Sequence, residues 1–270
     1  MNRFAAAFER LAREGACGLF PYLMAGYPDI ATSQALAQAA LEAGADGFEV
    51  AVPFSDPLAD GTTMQRVNQR ALEGGAGLDD ALDLVRFVRQ RAPAVPVALM
   101  SYYNPLRQRG DARLAADLAA ASGDGVIVPD VPAEEARDLQ AALRTHGLGL
   151  APLIAPTSHA ARIRAAAALD PLFIYCVAIV GVTGARQDLS ATLGEFLTRV
   201  RAETTAPLVV GFGISQPDHV QRVAKLGAAG AIVASALIDL IDRSDDPIAA
   251  ARAYLREMKA GGVQALAPGA

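Results

Sequence analysis

The chain has 270 residues, 52% hydrophobic and 20% charged, enough to bury one large soluble core or two small ones. A formal net charge of −5, 6% aromatic residues and no Trp leave neither a basic stripe for duplex nucleic acid nor stacking platforms for single strands. Cys17 and Cys176 are too few for a disulfide framework and sit in no metal-ligand spacing, so no metal is expected, and the charge and hydropathy pattern lead to no nucleic-acid or membrane partner.

From the N-terminus, MNRFAAAFERLAREGA places charges at helical intervals, which interrupts the apolar stretch a signal peptide needs and predicts a short first helix. No apolar run reaches the roughly 18 residues of a membrane span. A cytoplasmic protein is therefore expected. Eight apolar runs follow: 18–26, 47–54, 95–103, 125–132, 147–156, 172–180, 207–213 and 230–237. Between them lie Ala/Leu/Arg-rich stretches with apolar positions three and four apart, such as SQALAQAALEAG and LDDALDLVRFVRQ. Near-continuous apolar strands suit a parallel sheet buried on both faces, and eight such β-then-α units predict a (β/α)8 barrel. An open doubly wound sheet is disfavoured, because neither GxGxxG nor GxxxxGK[ST] occurs. Residues 104–111 read as loop. One barrel domain is expected over 1–260, with a flexible tail over 261–270.

The second run carries the most chemistry. Alternation along a strand puts Phe48, Val50 and Val52 on one face and Glu49 and Ala51 on the other. Three bulky apolar residues suit the layer under the helices, which turns Glu49 into the barrel. A carboxyl there is costly unless it serves a site at the C-terminal mouth. The loop PFSDPLADG that follows adds Asp56 and Asp60. Either faces a ligand beside Glu49, or both are turn and N-cap residues of the next helix.

The last quarter reads as an anion site. GVTGAR (181–186), GFGIS (211–215) and VASAL (233–237) each follow a strand. Ser215 reads as an N-cap, and Ser235 opens the helix ALIDLI. Helix N-termini present free amides to anions, and barrels commonly seat a phosphate after their last two strands. His146, His159 and His219 read as surface or capping residues, and Cys176 as core. Tyr102, Asn104 and Asp130 fall at strand ends where they either line the mouth or anchor neighbouring loops.

The segments PYLMAGYPD (21–29), FEVAVPFSDPLADG (48–61), ALMSYYNP (98–105), GVIVPDVPAEE (125–135), LIAPTS (153–158), IYCVAIVGVTGAR (174–186) and GFGISQP (211–217) closely resemble the tryptophan synthase alpha subunit family. They fall in order over essentially the whole chain. The resemblance implies a barrel that cleaves indole-3-glycerol phosphate to indole and glyceraldehyde 3-phosphate, with no cofactor of its own. It also implies a pyridoxal-phosphate-dependent beta subunit as partner, in an alpha2beta2 heterotetramer. The family's catalytic pair falls on Glu49 and Asp60, which selects Asp60 over Asp56. Its indole-pocket positions fall on Tyr22, Met100, Tyr175 and Phe212, and Thr183 matches a residue that closes over the site and helps orient the catalytic acid; Tyr102, from its place at a strand end, joins the expected substrate-binding set. Its phosphate contacts fall on Gly184, Gly213 and Ser235, with the neighbouring backbone of Ala236; Ala234, beside them, joins the expected phosphate-binding set. The chain departs from the family pattern at Ala51 and Ala234, where glycine is usual, at Thr62, where proline is usual, and at Ala178 and Val180, which replace residues that often carry a hydroxyl. Ala51, Ala234, Ala178 and Val180 motivate a competing reading, a catalytically weakened barrel acting as an allosteric binding subunit; another phosphosugar enzyme on the same fold is a further alternative, against which Phe212, Tyr175 and Tyr22 argue for an aromatic ligand.

Overall fold

The computed structural model describes residues 2–177, 186–211 and 213–264. Each of the eight apolar runs holds a strand: β1 (Gly18–Met24), β2 (Phe48–Ala51), β3 (Val97–Met100), β4 (Gly125–Ile127), β5 (Gly149–Ala151) with β6 (Leu153–Ile154), β7 (Ile174–Val177), β8 (Leu208–Gly211) and β9 (Gly230–Val233). All pair in parallel, in the order β5-β4-β3-β2-β1-β9-β8-β7-β6. The fifth run supplies both ends of that order. Pro152 has no N–H to donate and splits the run, so that β5 pairs with β4 and β6 with β7. The carbonyls of Leu150 and Pro152 accept from the amides of Leu172 (2.9 Å) and Tyr175 (3.0 Å). The sheet thereby closes on itself as a (β/α)8 barrel with one divided strand and no open edge.

Two apolar layers follow from strand alternation. Phe48, Val50 and Val52 pack outward with Leu19, Leu23, Leu99, Val126, Ile174 and Val210 against the surrounding helices. Ala51 belongs to the interior with Phe20, Tyr22, Met24, Ala98, Ile127, Tyr175 and Ile232. The register places Glu49 between Tyr22 of β1 and Ala98 of β3, on that inner face.

The first helix (Arg3–Glu14) closes the floor. The side chain of Asn2 caps it by accepting from the Phe4 amide at 2.9 Å, and Gly15 ends it at φ 61°. Its stripe Phe4, Phe8 and Leu11 is buried, with Phe4 and Phe8 ring centroids 5.3–6.2 Å from those of Phe20 and Phe173. Two buried carboxylates pin it. Asp46 accepts from the Leu19 amide (2.8 Å), from Arg10 (2.7 Å) and from Lys259. Asp124 accepts from the Val97 amide (2.8 Å), Arg3 (3.0 Å) and Arg89 (2.9 Å). Anchoring the barrel from below in this way leaves its upper mouth to the site.

The stretch 104–111, expected as loop, is helical: Tyr103–Arg109 is followed directly by Asp111–Ala120. Pro105 sits in the first turn of its helix, where a missing N–H costs nothing, and Gly110 makes the corner at φ 83°. At the C-terminal end the last helix runs Pro247–Gln264, into the segment expected as a tail, and the Gly262 carbonyl accepts from the Cys17 amide at 3.2 Å. Among the described residues no helix is long and apolar enough to cross a membrane.

Candidate active site

A cavity of about 260 Å³ opens at the C-terminal ends of the strands. It is lined by Tyr22, Glu49, Met100, Tyr175 and Ile232 from the strands, by Asp60 to Met64 from the loop and helix after β2, and by Gly213, Ile214, Ala234 and Ser235 from the last two turns. Glu49 is 3% exposed, and among the described residues its Oε2 finds no hydrogen-bond partner. Burial therefore pushes its pKa from 4.5 up to about 8, and the nearby Asp60 charge pushes in the same direction.

Asp60 is the loop carboxyl that joins it. The N-cap of the following helix (Thr62–Glu73) is Gly61, which has no side chain to cap with, so Asp60 is not a cap. Asp60 instead folds back through a turn, its amide donating to the Pro57 carbonyl at 3.0 Å. Burial pushes its pKa up to about 6, opposed by hydrogen bonds from Tyr102 and Asn68. Asp56 is exposed, takes the Ser55 hydroxyl at 2.5 Å and does not line the cavity.

Tyr102, expected against the substrate, stands one layer behind. Its ring stacks on Phe54 at 5.3 Å, and its hydroxyl accepts from the Ala59 amide at 2.8 Å, so it supports the loop that carries Asp60. Asp130 likewise anchors a neighbour: its Oδ1 accepts from the Tyr103 amide at 2.9 Å, at the start of the helix after β3. Asn104 is exposed. Tyr22 and Tyr175 are buried beside the carboxyls, and burial together with those charges pushes both phenols well above their usual range.

Gly213 also lines the cavity, with φ +74°, a conformation that favours glycine. Gly211, which the sequence grouped with it, has a different task. A Cβ there would fall 2.2 Å from the Tyr175 hydroxyl oxygen, so this glycine makes room for a ring of the pocket. Ala234 precedes the helix Ser235–Arg243 at φ −123°, and the Leu237 and Ile238 amides turn back onto its carbonyl. Ser235 and Ala236 are left as the leading amides, although Ala236 itself does not line the cavity. Neither Ala51 nor Ala234 has positive φ, so replacing glycine there strains no backbone; Ala234 instead adds a methyl group to the cavity wall. Thr62 occupies the first helical position, where proline is also tolerated. Gln216 rather than Ser215 caps the helix Pro217–Lys225, and the His219 Nδ1 lies 3.1 Å from the Gly213 carbonyl, fastening that turn. Thr183, Gly184, Phe212, Ala178 and Val180 lie outside the described residues. Among those described, no group of three or more His, Cys, Asp or Glu could hold a metal ion.

One participant escaped the sequence reading. Asn68 is 2% exposed on the buried face of Thr62–Glu73, with Met64, Val67 and Ala71. The signal available was an amide on the apolar stripe of an amphipathic helix, where a hydrocarbon would ordinarily pack.

Two buried carboxyls and the start of the helix at Ser235 line one cavity at the mouth of a (β/α)8 barrel, an arrangement suited to an enzyme for acid–base chemistry on an anionic small molecule. Comparison with known proteins narrows this. The family model described as "Tryptophan synthase alpha chain" matches residues 8–265. The chain is 52% identical over 244 residues to the tryptophan synthase alpha chain of Roseiflexus castenholzii, covering 90% of this chain and 93% of that one. Identity to the Chloroflexus aurantiacus protein of the same name is 49% over 260 residues, 96% of this chain and 97% of the relative. The crystal structure of tryptophan synthase subunit alpha from Legionella pneumophila superimposes with a TM-score of 0.89 at 34% identity, over 97% of this chain and 98% of that one. This chain belongs to the tryptophan synthase alpha chain family.

Proposed function

We propose that Glu49 and Asp60 carry out the family's lyase reaction here: retro-aldol cleavage of indole-3-glycerol phosphate to indole and glyceraldehyde 3-phosphate, in tryptophan biosynthesis. The observation that carries this is the pair's placement on one cavity whose lining also includes Gly213, Ala234 and Ser235.

The protonation states follow from burial. With Glu49 raised to about 8 and Asp60 to about 6, the pair at neutral pH is a neutral Glu49 acid beside an Asp60 carboxylate. The reaction asks for that division. Glu49 gives its proton to carbon 3 of the indole, and the ring becomes an indolenine whose N–H gains positive charge. The Asp60 carboxylate accepts that N–H and stabilises the charge. The Glu49 carboxylate then takes the proton of the adjacent side-chain hydroxyl. The carbon–carbon bond breaks, its electron pair restores the aromatic ring, and the hydroxyl carbon becomes the aldehyde. Glu49 ends protonated, as it began. Tyr22, Met100, Tyr175 and Ile232 form the apolar walls for the heterocycle, and the amides at Gly213, Ser235 and Ala236 hold the phosphate through the helix dipole.

The carboxyl pair and the family membership favour this reading over a purely allosteric barrel or another phosphosugar enzyme. The beta subunit is the partner, in an alpha2beta2 heterotetramer, and the setting is cytoplasmic. The chain forms one barrel domain that takes in the last helix, Pro247–Gln264. The test is release of indole from indole-3-glycerol phosphate by the purified chain, with and without beta subunit. Turnover that rises with beta subunit supports the assignment, and activation of the beta subunit without any cleavage would replace it with the allosteric reading.

A further inference from the structure

We infer that Asn68 is a positioning residue for the lyase reaction, aiming the Asp60 carboxylate into the cavity by tying the loop after β2 to the helix that follows it. This rests on the assignment of Asp60 above.

Two points of the loop and one of its own helix meet this single amide. The Asn68 Oδ1 accepts from the Phe54 amide at 2.8 Å, where the chain leaves β2. The Nδ2 donates to the Met64 carbonyl at 2.8 Å, one turn back along its own helix, and to Asp60 Oδ2 at 3.4 Å. Because Oδ1 is committed to an N–H, the amide can face Asp60 only with its donor side. Asn68 is thus held as a donor toward the carboxylate and stabilises its charged form. Tyr102 also holds this loop, its hydroxyl accepting from the Ala59 amide and donating to Asp60. The span between Pro53 and Gly61 has only turn hydrogen bonds of its own, such as Leu58 N to Asp56 O and Asp60 N to Pro57 O. Side chains from two other elements therefore decide where its carboxylate points. A buried amide amid Met64, Val67 and Ala71 is costly unless its hydrogen bonds are made, and here both ends are used.

Two substitutions separate aiming from mere fastening. Asn68→Asp keeps the shape and the acceptor for the Phe54 amide, but replaces the donor facing Asp60 with a negatively charged acceptor. Asn68→Ala removes both. The experiment measures kcat/KM for indole-3-glycerol phosphate against pH, with far-UV circular dichroism and a melting curve for each variant. Asn68→Ala is expected to lose about tenfold in kcat/KM at neutral pH, the worth of one hydrogen bond to a charge. Its ascending acid limb should move up by about half a unit to one unit, and that of Asn68→Asp further. If either variant turns over too slowly, or does not fold, Asn68→Ser and the carbon-13 titration of the Asp60 carboxyl in the unliganded protein read the same shift. A folded Asn68→Asp variant whose acid limb coincides with that of the parent would overturn the proposal, leaving Asn68 a fastener. Asp60→Asn distinguishes the two layers of the argument. If it retains full turnover, the assignment of Asp60 fails. If it is inactive while the Asn68 variants leave the limb in place, only the role of Asn68 fails.

Discussion

Replacing Glu49 with Gln should make the protein more stable, and increasingly so as pH rises. A carboxyl whose pKa stands at about 8 in the folded chain against 4.5 in the unfolded one binds its proton more tightly in the native state. Between those two values the native state holds more protons than the unfolded state, so stability falls as pH increases. The stabilising contribution of the protonated form is fully present below pH 4.5 and is lost on the way to about 8. Each pH unit of that window corresponds to about 1.4 kcal/mol, which makes the whole effect on the order of 5 kcal/mol. Gln has nearly the same shape and no charge to bury, so it escapes this loss. Urea unfolding of the parent and of E49Q at pH 5 and at pH 8.5 isolates Glu49, because the other titrating groups are common to both. The stability difference between them should grow by several kcal/mol from the lower to the higher pH, with E49Q the more stable at the higher. A difference that stays constant within about 1 kcal/mol would refute the claim that Glu49 is buried as a neutral acid.

The same two carboxyls give a bell-shaped dependence of kcat/KM on pH, rising through about 6 as Asp60 ionises and falling through about 8 as Glu49 loses its proton. A flat profile across that range contradicts the division of roles. Ser235→Asp should raise KM by tenfold or more, on the order of one lost charge-assisted contact, because it sets a carboxylate against the substrate phosphate. It should leave the melting temperature unchanged or slightly higher, since the helix dipole welcomes a negative charge in the first turn. Gly211→Ala drives a methyl group to within 2.2 Å of the Tyr175 hydroxyl. It should cost roughly 1–3 kcal/mol in unfolding free energy and raise KM, both following from displacement of a pocket wall.

Where hydrophobic periodicity governs structure, the sequence was readable. Alternation along 48–52 put Glu49 and Ala51 inside and Phe48, Val50 and Val52 under the helices, and the two apolar layers divide in that way. Eight apolar runs became the strands, with the fifth divided at Pro152. Loops obey no such period. Whether Asp56 or Asp60 faced the ligand was not decidable from spacing, because the direction of Asp60 is set by side chains of other elements, Tyr102 after β3 and Asn68 on the next helix, and by the turn onto Pro57. Tyr102 was placed on the site because it ends a strand, yet its hydroxyl is committed to the Ala59 amide. The helix Tyr103–Arg109 was hidden by Pro105 and Gly110, breakers in a helix interior that are tolerated in a first turn and at a corner. Gly211 and Gly213 look alike in sequence and differ in cause, one sparing a ring and the other adopting positive φ.

Indole release from indole-3-glycerol phosphate by E49Q, measured beside the parent with beta subunit present, bears most directly on the chemistry assigned to this barrel. A proton carrier that acts twice in each turnover predicts a fall of at least 10²–10⁴-fold with the fold intact. Turnover within a few fold of the parent would mean that the proton reaching carbon 3 comes from elsewhere, and that the buried glutamate serves some other end.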